Sequence, residues 1–146
     1  MQQAARLVAL FLTLVLALSL TACSGEKDPA ILVVKDFIKK AATGDKSLKE
    51  LIDFQAAANK YGTTGKEVIQ KEGAQKWEEA KDDMVKTIIA SYSPLKNSYK
   101  KAFKEFTVEE KGVDYWIVSY FNPAKERKRM KVTKHDGKLK AYFFQK

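Results

Sequence analysis

Few residues in this chain carry side chains able to do chemistry, and they are scattered. The 146-residue sequence has one cysteine, Cys23, and one histidine, His135. Cys23 follows an apolar run, Leu7 to Leu18, which is preceded by a short start whose one charged side chain is Arg6. Thr21 and Ala22 come just before the cysteine, and Ser24 and Gly25 just after it. A charged start, an apolar stretch and a small-residue cleavage site, here ending at Ala22, are the three parts of an export signal. As a helix, the run covers about 18 Å at ~1.5 Å per residue, short of the ~30 Å hydrocarbon core.

The order Leu20-Thr21-Ala22-Cys23 resembles the lipobox of bacterial lipoproteins. The resemblance implies that the Cys23 thiol receives a diacylglycerol, that the chain is cut just before it, and that the new amino end takes a further acyl chain such as palmitate. Two or more chains hold stably, at ~0.8 kcal/mol per buried methylene. Residues 1–22 are then a lipoprotein signal peptide, 23–28 the lipidated cysteine with its tether, and 29–146 a single domain. Ser24, rather than Asp, is what outer-membrane members of that class show. The expected location is therefore the periplasmic side of the outer membrane. A five-residue tether, Ser24 to Asp28, reaches at most about 17 Å, which keeps the domain close to the bilayer.

Other chemistry has little to work with. Metal sites need three or four ligands at compatible spacing, and one histidine beside an acylated cysteine does not supply them, so no metal and no cofactor is expected. His135, next to Asp136-Gly137, reads as a solvated side chain at a hairpin tip. Glu78, Glu79, Asp82 and Asp83 recur at helical spacing with Lys81 and Lys86 nearby, which is a solvated helix face. Asp53, Tyr61, Asp114 and Tyr115 are the candidates for an acid or base. Each also has a local role at a helix end, a turn or a strand start. No Gly-rich phosphate loop, nucleophile elbow or paired-carboxylate signature is present.

The formal net charge is +9, and the leader accounts for Arg6 alone. A basic surface suits nucleic acid, anionic lipid, an acidic polymer or plain solubility. Export argues against nucleic acid, and the spread of charge along the chain favours a solvated surface. A single cysteine cannot form an intramolecular disulfide, so stability must come from packing.

The elements that position these residues can be read in order. Asp28-Pro29 is an N-cap followed by the first helical residue. Ile31, Val34, Phe37, Ile38 and Ala41 form an apolar stripe that stops at Gly44. Ser47 with Glu50 is a capping box, and Leu48, Leu51, Ile52 and Phe54 continue a helix that fades before Gly62. Thr64 with Glu67 opens the longest helical segment, Gly65 to about Ser91. Its expected core-facing stripe is Val68, Ile69, Trp77, Ala80, Met84, Val85, Ile88 and Ile89, and Gly73 marks a kink or break. Ser93-Pro94 ends it, and Leu95 to Phe103 reads as a turn or short helix. From Phe106 the period becomes two. Phe106 and Val108 share a face. Val113, Tyr115, Ile117 and Phe121 alternate with Trp116, Val118 and Tyr120 in a strand that must be central and covered on both sides. Met130 and Val132 alternate with Arg127, Arg129, Lys131 and Thr133. Asp136-Gly137 is a hairpin turn, and Leu139, Ala141 and Phe143 then alternate with Lys140, Tyr142 and Phe144.

The expected fold is α+β: N-terminal helices packed on a C-terminal antiparallel sheet of about four strands, preceded by the signal-peptide helix. The lipobox, the short tether, the helix end Ala41-Ala42-Thr43-Gly44-Asp45 and the final hairpin Lys134-His135-Asp136-Gly137-Lys138 together resemble small lipoproteins of the nuclear-transport-factor-2-like (cystatin-like) superfamily. The resemblance implies a curved sheet that wraps the long helix and can form a cone-shaped pocket. It says little of activity. The functional expectation is a non-catalytic domain that binds a small apolar ligand, a lipid or a protein in the cleft between sheet and helices, with Trp77, Tyr115, Trp116 and Tyr120 as candidate lining. The alternative is a small isomerase, dehydratase or hydrolase in the same cone. A binding module predicts an apolar cavity with few polar groups, whereas an enzyme predicts a buried acid or tyrosine with a hydrogen-bonded partner. Arg127, Arg129, Lys131, Lys138 and Lys140 are candidate contacts to anionic lipid or an acidic envelope polymer, although protection of exposed strands is the favoured explanation of such residues.

Overall fold

A computed structural model describes residues 27–59 and 65–143. The expected leader, its cleavage point, Cys23, Thr64, Tyr61 and Phe144 lie outside the described residues. The helices are α1 (Pro29–Thr43), α2 (Leu48–Leu51), α3 (Phe54–Asn59), α4 (Gly65–Glu72), α5 (Ala74–Tyr92) and α6 (Tyr99–Ala102), with a 3-10 turn at Ser93–Leu95. Four strands follow: β1 (Lys104–Lys111), β2 (Tyr115–Phe121), β3 (Arg127–His135) and β4 (Lys138–Phe143). They form one antiparallel meander in the order β1-β2-β3-β4. This is the α+β arrangement of helices on a C-terminal sheet.

Helix α1 starts where Asp28 caps it, its carboxylate accepting a hydrogen bond from the Ala30 amide at 2.8 Å. The whole expected stripe is buried, from Ile31 through Val34, Phe37 and Ile38 to Ala41. Helix α1 packs on all four strands, while the longer α5 packs chiefly on α1 and α4. The helix against the sheet is therefore the most apolar one rather than the longest, which corrects the expectation of a sheet wrapped on the long helix. The α5 stripe is likewise shallower than its period suggests. Val85 is buried, Met84, Ile88 and Ile89 are partly covered, and Ile69 and Ala80 are exposed.

Two breaks shape the helical layer. The helix expected to run on from Ser47 stops at Leu51, because Ile52 is extended (φ −87°, ψ 130°) and bridges in parallel to Ala141 on the outer edge of β4. Asp53 then restarts the chain as α3. Gly73 sits at φ 90° between α4 and α5, a conformation that a side chain would resist; it is a break rather than a kink.

Strand β2 is central and covered on both faces, as expected. Val118 and Tyr120 face α1, and Ile117 and Ser119 are buried on the opposite face. Val113 is not part of the strand; it stands 92% exposed in the β1–β2 turn. Two register shifts in β1 bend that edge strand away from simple pairing.

Candidate functional site

Alternation along β2, β3 and β4 puts Tyr120, Lys128 and Phe143 on the same side of the sheet as the core residues Val118 and Met130. Helix α1 covers the middle of that side. Beyond it, the end of α5, the 3-10 turn and Phe103 stand off from the sheet and border an open cavity of about 580 Å³. Its walls mix aromatic and aliphatic side chains with polar ones, among them Thr87, Ser91, Asn122 and the basic residues at the start of β3. Tyr92 stacks on Phe103 at 5.7 Å and lies 6.4 Å from Phe143. Phe103 tilts against Tyr120 at 5.9 Å, and Ile88 and Leu95 complete the wall. This is the size and texture of a small-ligand site.

Tyr92 and Tyr120 bring two hydroxyls to the lining, each acting on the other's titration. Burial raises the Tyr120 hydroxyl far above the ordinary tyrosine value, and the neighbouring Tyr92 adds to the shift. Burial raises Tyr92 too, outweighing the neighbouring Tyr120 hydroxyl, which acts the other way. Both therefore hold their protons and act as hydrogen-bond donors rather than bases. At the mouth, Lys128 stands directly opposite Tyr120 in the β2–β3 register, its Nζ 2.9 Å from a Glu126 carboxylate oxygen. No carboxylate and no histidine is among the described residues lining the cavity.

Of the expected lining, only Tyr120 is there. Trp77 lies on α5 against Gly65, so close that a Cβ at 65 would meet its ring, and the Lys81 ammonium sits 5.9 Å from its centre. Trp116 points to the helix side but farther along β2, where Lys111 stands 5.8 Å from its ring and its buried indole N–H has no partner among the described residues. Tyr115 is on the opposite face, its hydroxyl bonded to Glu110 and its ring 4.4 Å below the Lys131 ammonium. The residues that the sequence did not reveal are Tyr92, the last residue of α5, and Leu95 and Phe103, from the aperiodic stretch beyond it. Lys128 carried a signal: alternation sets it on the inner face with Met130, apart from its basic neighbours.

A second cluster lies on the outer face of β3. Asp53, 5% exposed, accepts hydrogen bonds from the Ala56 amide at 3.0 Å and the Thr133 hydroxyl at 2.6 Å. His135 Nε2 lies 3.0 Å from the same carboxylate. The histidine expected to be purely solvated is thus tied down, although its side chain stays 57% exposed. Burial alone would raise the Asp53 carboxyl, but the bonds from Thr133, Ala56 and His135 outweigh it and hold the group below the usual aspartate value. Asp114, the other expected acid, is exposed in the β1–β2 turn, where its carbonyl accepts from the Lys134 amide at 2.9 Å.

The basic outer face is partly neutralised. Arg127 and Arg129 both reach Glu109 on β1, at 2.6 and 2.7 Å, and lean across β2 over the buried Ser119. Lys138 and Lys140 make no ion pair among the described residues. On the helical side, Lys49 bridges Glu78 and Asp82 at 3.2 and 2.7 Å, Lys76 pairs with Glu79 and Lys86 with Asp83. Among the described residues no three His, Cys, Asp or Glu side chains converge to hold a metal ion, and no helix is long and apolar enough to cross a membrane.

Fold and cavity together define an α+β domain with a ligand-sized cleft at one end of its sheet. No family model, curated protein or solved structure matches the chain.

Proposed function

We propose that the chain is a lipid-anchored bacterial envelope lipoprotein of the nuclear-transport-factor-2-like type, whose domain holds a small apolar ligand in the cleft between α5 and the sheet. The observation that carries the ligand reading is the cavity of about 580 Å³, in whose partly polar wall Ile88, Tyr92, Leu95, Phe103, Tyr120 and Phe143 form the apolar part. Export and acylation at Cys23 rest on the leader and lipobox residues. The periplasmic side of the outer membrane follows from Ser24.

Binding is favoured over catalysis by the chemistry of the lining. The cavity does hold a buried tyrosine, Tyr120, one part of the feature expected of an enzyme. Yet an isomerase or dehydratase needs a group that exchanges a proton near neutrality, and burial makes Tyr120 hold its proton. Asp53 and His135 could form an acid–base pair, but neither is among the residues that line the cavity.

Mass spectrometry of the protein extracted from membranes tests both halves. The expected result is an amino terminus at Cys23 carrying acyl chains and, in native mode, a co-purified small molecule lost on substituting cavity residues. Cys23→Ala should release the protein from the detergent-requiring fraction. An unmodified Cys23 defeats the anchor, and a domain that takes up no apolar probe defeats the ligand reading.

A further inference from the structure

We propose that the outward face of α1 is the seat of the domain on its bilayer, and that the groove beside it, between α1, α6 and β1, takes the head group of an anionic phospholipid. The inference rests on the anchor reading above and adds which side of the domain meets the lipid. Leu32 is 52% exposed, although it sits on the helix that carries the core. Lys35 and Lys39 follow it at helical spacing, on the face turned away from the buried stripe of Val34, Phe37, Ile38 and Ala41. A leucine followed by lysines, whose stems can lie along an apolar surface while their heads reach the polar layer, is the pattern of a helix face at a membrane interface. The chain ahead of the domain leads to the same place. The tether from Ser24 to Asp28, at most about 17 Å long, enters at the start of α1. Leu32, Lys35 and Lys39 all lie within about 16 Å of Asp28 along that helix.

Charge and shape select the occupant. The groove measures about 380 Å³. Its apolar part is Ile38, which is buried, with Tyr99 and Phe106, which are partly so. The Lys35 ammonium lies 5.2 Å from the centre of the Phe106 ring. Lys39 and Lys100 also line the groove; both are exposed, and neither makes an ion pair among the described residues. The one carboxylate in the lining, Asp36, is taken by Lys40 at 3.2 Å. The stretch 93–104, which supplies Tyr99 and Lys100, adds Lys96, Lys101 and Lys104 and contains no acid. Ammonium groups around an aromatic and aliphatic bed suit an anion with an apolar body, and a bilayer within reach of the tether presents that chemistry. The basic outer face of the sheet lies on the side away from α1, so an anchored chain cannot hold both faces on one bilayer. Of the two, α1 carries the tether.

A lysine footprint tests it. Protein extracted from membranes is placed in vesicles of phosphatidylcholine, or of phosphatidylcholine and phosphatidylglycerol in equal parts, acetylated briefly at low salt and read by mass spectrometry. Lys39 and Lys100 should label about fivefold more slowly with phosphatidylglycerol present, the worth of one ammonium at an anionic surface. Lys138 and Lys140 should label alike in both lipids. Lys39→Gln with Lys100→Gln, two exposed positions outside the core, should return Lys35 to its rate in phosphatidylcholine, and Leu32→Gln should lessen the protection of Lys39 and Lys100. Protection of Lys138 and Lys140 in place of Lys39 and Lys100 overturns the seat and gives the membrane to the outer sheet face. Equal labelling in the two lipids overturns the head-group site. Protection of the groove by polyglutamate over phosphatidylcholine vesicles, matching that by phosphatidylglycerol, gives the groove to an acidic chain and overturns the lipid. The same spectra report residue 23. An unacylated Cys23 removes the anchor reading and this inference with it, whereas an acylated Cys23 with Lys39 and Lys100 unprotected removes the inference alone.

Discussion

Asp53 and His135 are 82 residues apart in the chain and 3.0 Å apart in the fold. The carboxylate is ionised and can only accept, so His135 Nε2 carries the proton in that bond. The same carboxylate caps α3 through the Ala56 amide and takes the Thr133 hydroxyl. One side chain therefore starts a helix and fastens the α2–α3 connection to β3, beside the point where Ile52 bridges to β4.

Asp53→Asn should accordingly destabilise the domain by about 2 kcal/mol at pH 7, the cost of disrupting a buried, charged hydrogen-bond centre. The folded carboxyl titrates below its unfolded value, near 3.9. Its contribution is thus fully present above that value and is lost as the pH falls through the folded one. Urea denaturation of wild type and variant should show their gap closing in acid. A gap that stays constant down to pH 2 would mean the carboxylate is not what ties the two elements.

Phe37 and Leu32 test which helix carries the core. Phe37 is 1% exposed and meets Phe143 edge-on at 5.6 Å, whereas Leu32 on the same helix is exposed. Phe37→Ala should cost about 3–5 kcal/mol, a large part of the ~5–15 kcal/mol of a typical domain, while Leu32→Ala should stay within about 0.5 kcal/mol. Similar losses at both sites, measured by urea denaturation, would deny α1 its central place.

The difference between α1 and α5 also shows what the sequence carries. The α1 stripe was legible because five apolar residues share one face and nothing competes for them. In α5 the same period is real but underfilled, since the sheet already has its cover. The hairpin at Asp136-Gly137 was legible because both residues sit at positive φ, 48° and 76°, as that turn demands. The break at Ile52 was not, because it is made by a partner, Ala141, 89 residues later. Nor was the cavity: Tyr92, Leu95 and Phe103 fall in a stretch with no period, and Trp77 and Trp116, which looked like lining, found other neighbours.

The hydroxyl pair makes a prediction in base. Burial raises both Tyr92 and Tyr120, so the protonated forms are favoured by folding. Their contribution to stability is fully present below the ordinary tyrosine value near 10 and is lost as the pH rises beyond it toward the folded values. In a spectroscopic titration these two should stay un-ionised after the exposed tyrosines have titrated, until the domain unfolds. Tyr120→Phe should flatten the fall of stability above pH 10. Ionisation of all the tyrosines together, with the fold intact, would place the pair in water.

Glu109 sets how much of the basic sheet face is available to a membrane. It holds Arg127 and Arg129 at once, leaving Lys138 and Lys140 as the uncommitted cations of the five expected there. Each cation freed at an anionic surface is worth ~1 kcal/mol. Glu109→Gln in the non-lipidated chain from Ser24 onward should therefore tighten binding to phosphatidylglycerol vesicles by about tenfold or more at low salt. The gain should fade as added salt shortens the ~10 Å screening length of 0.1 M solution. Lys138→Gln with Lys140→Gln should weaken the wild type in the same assay. If releasing two guanidiniums changes nothing, the face is turned away from the bilayer and its charges serve to keep the strands from pairing with other chains.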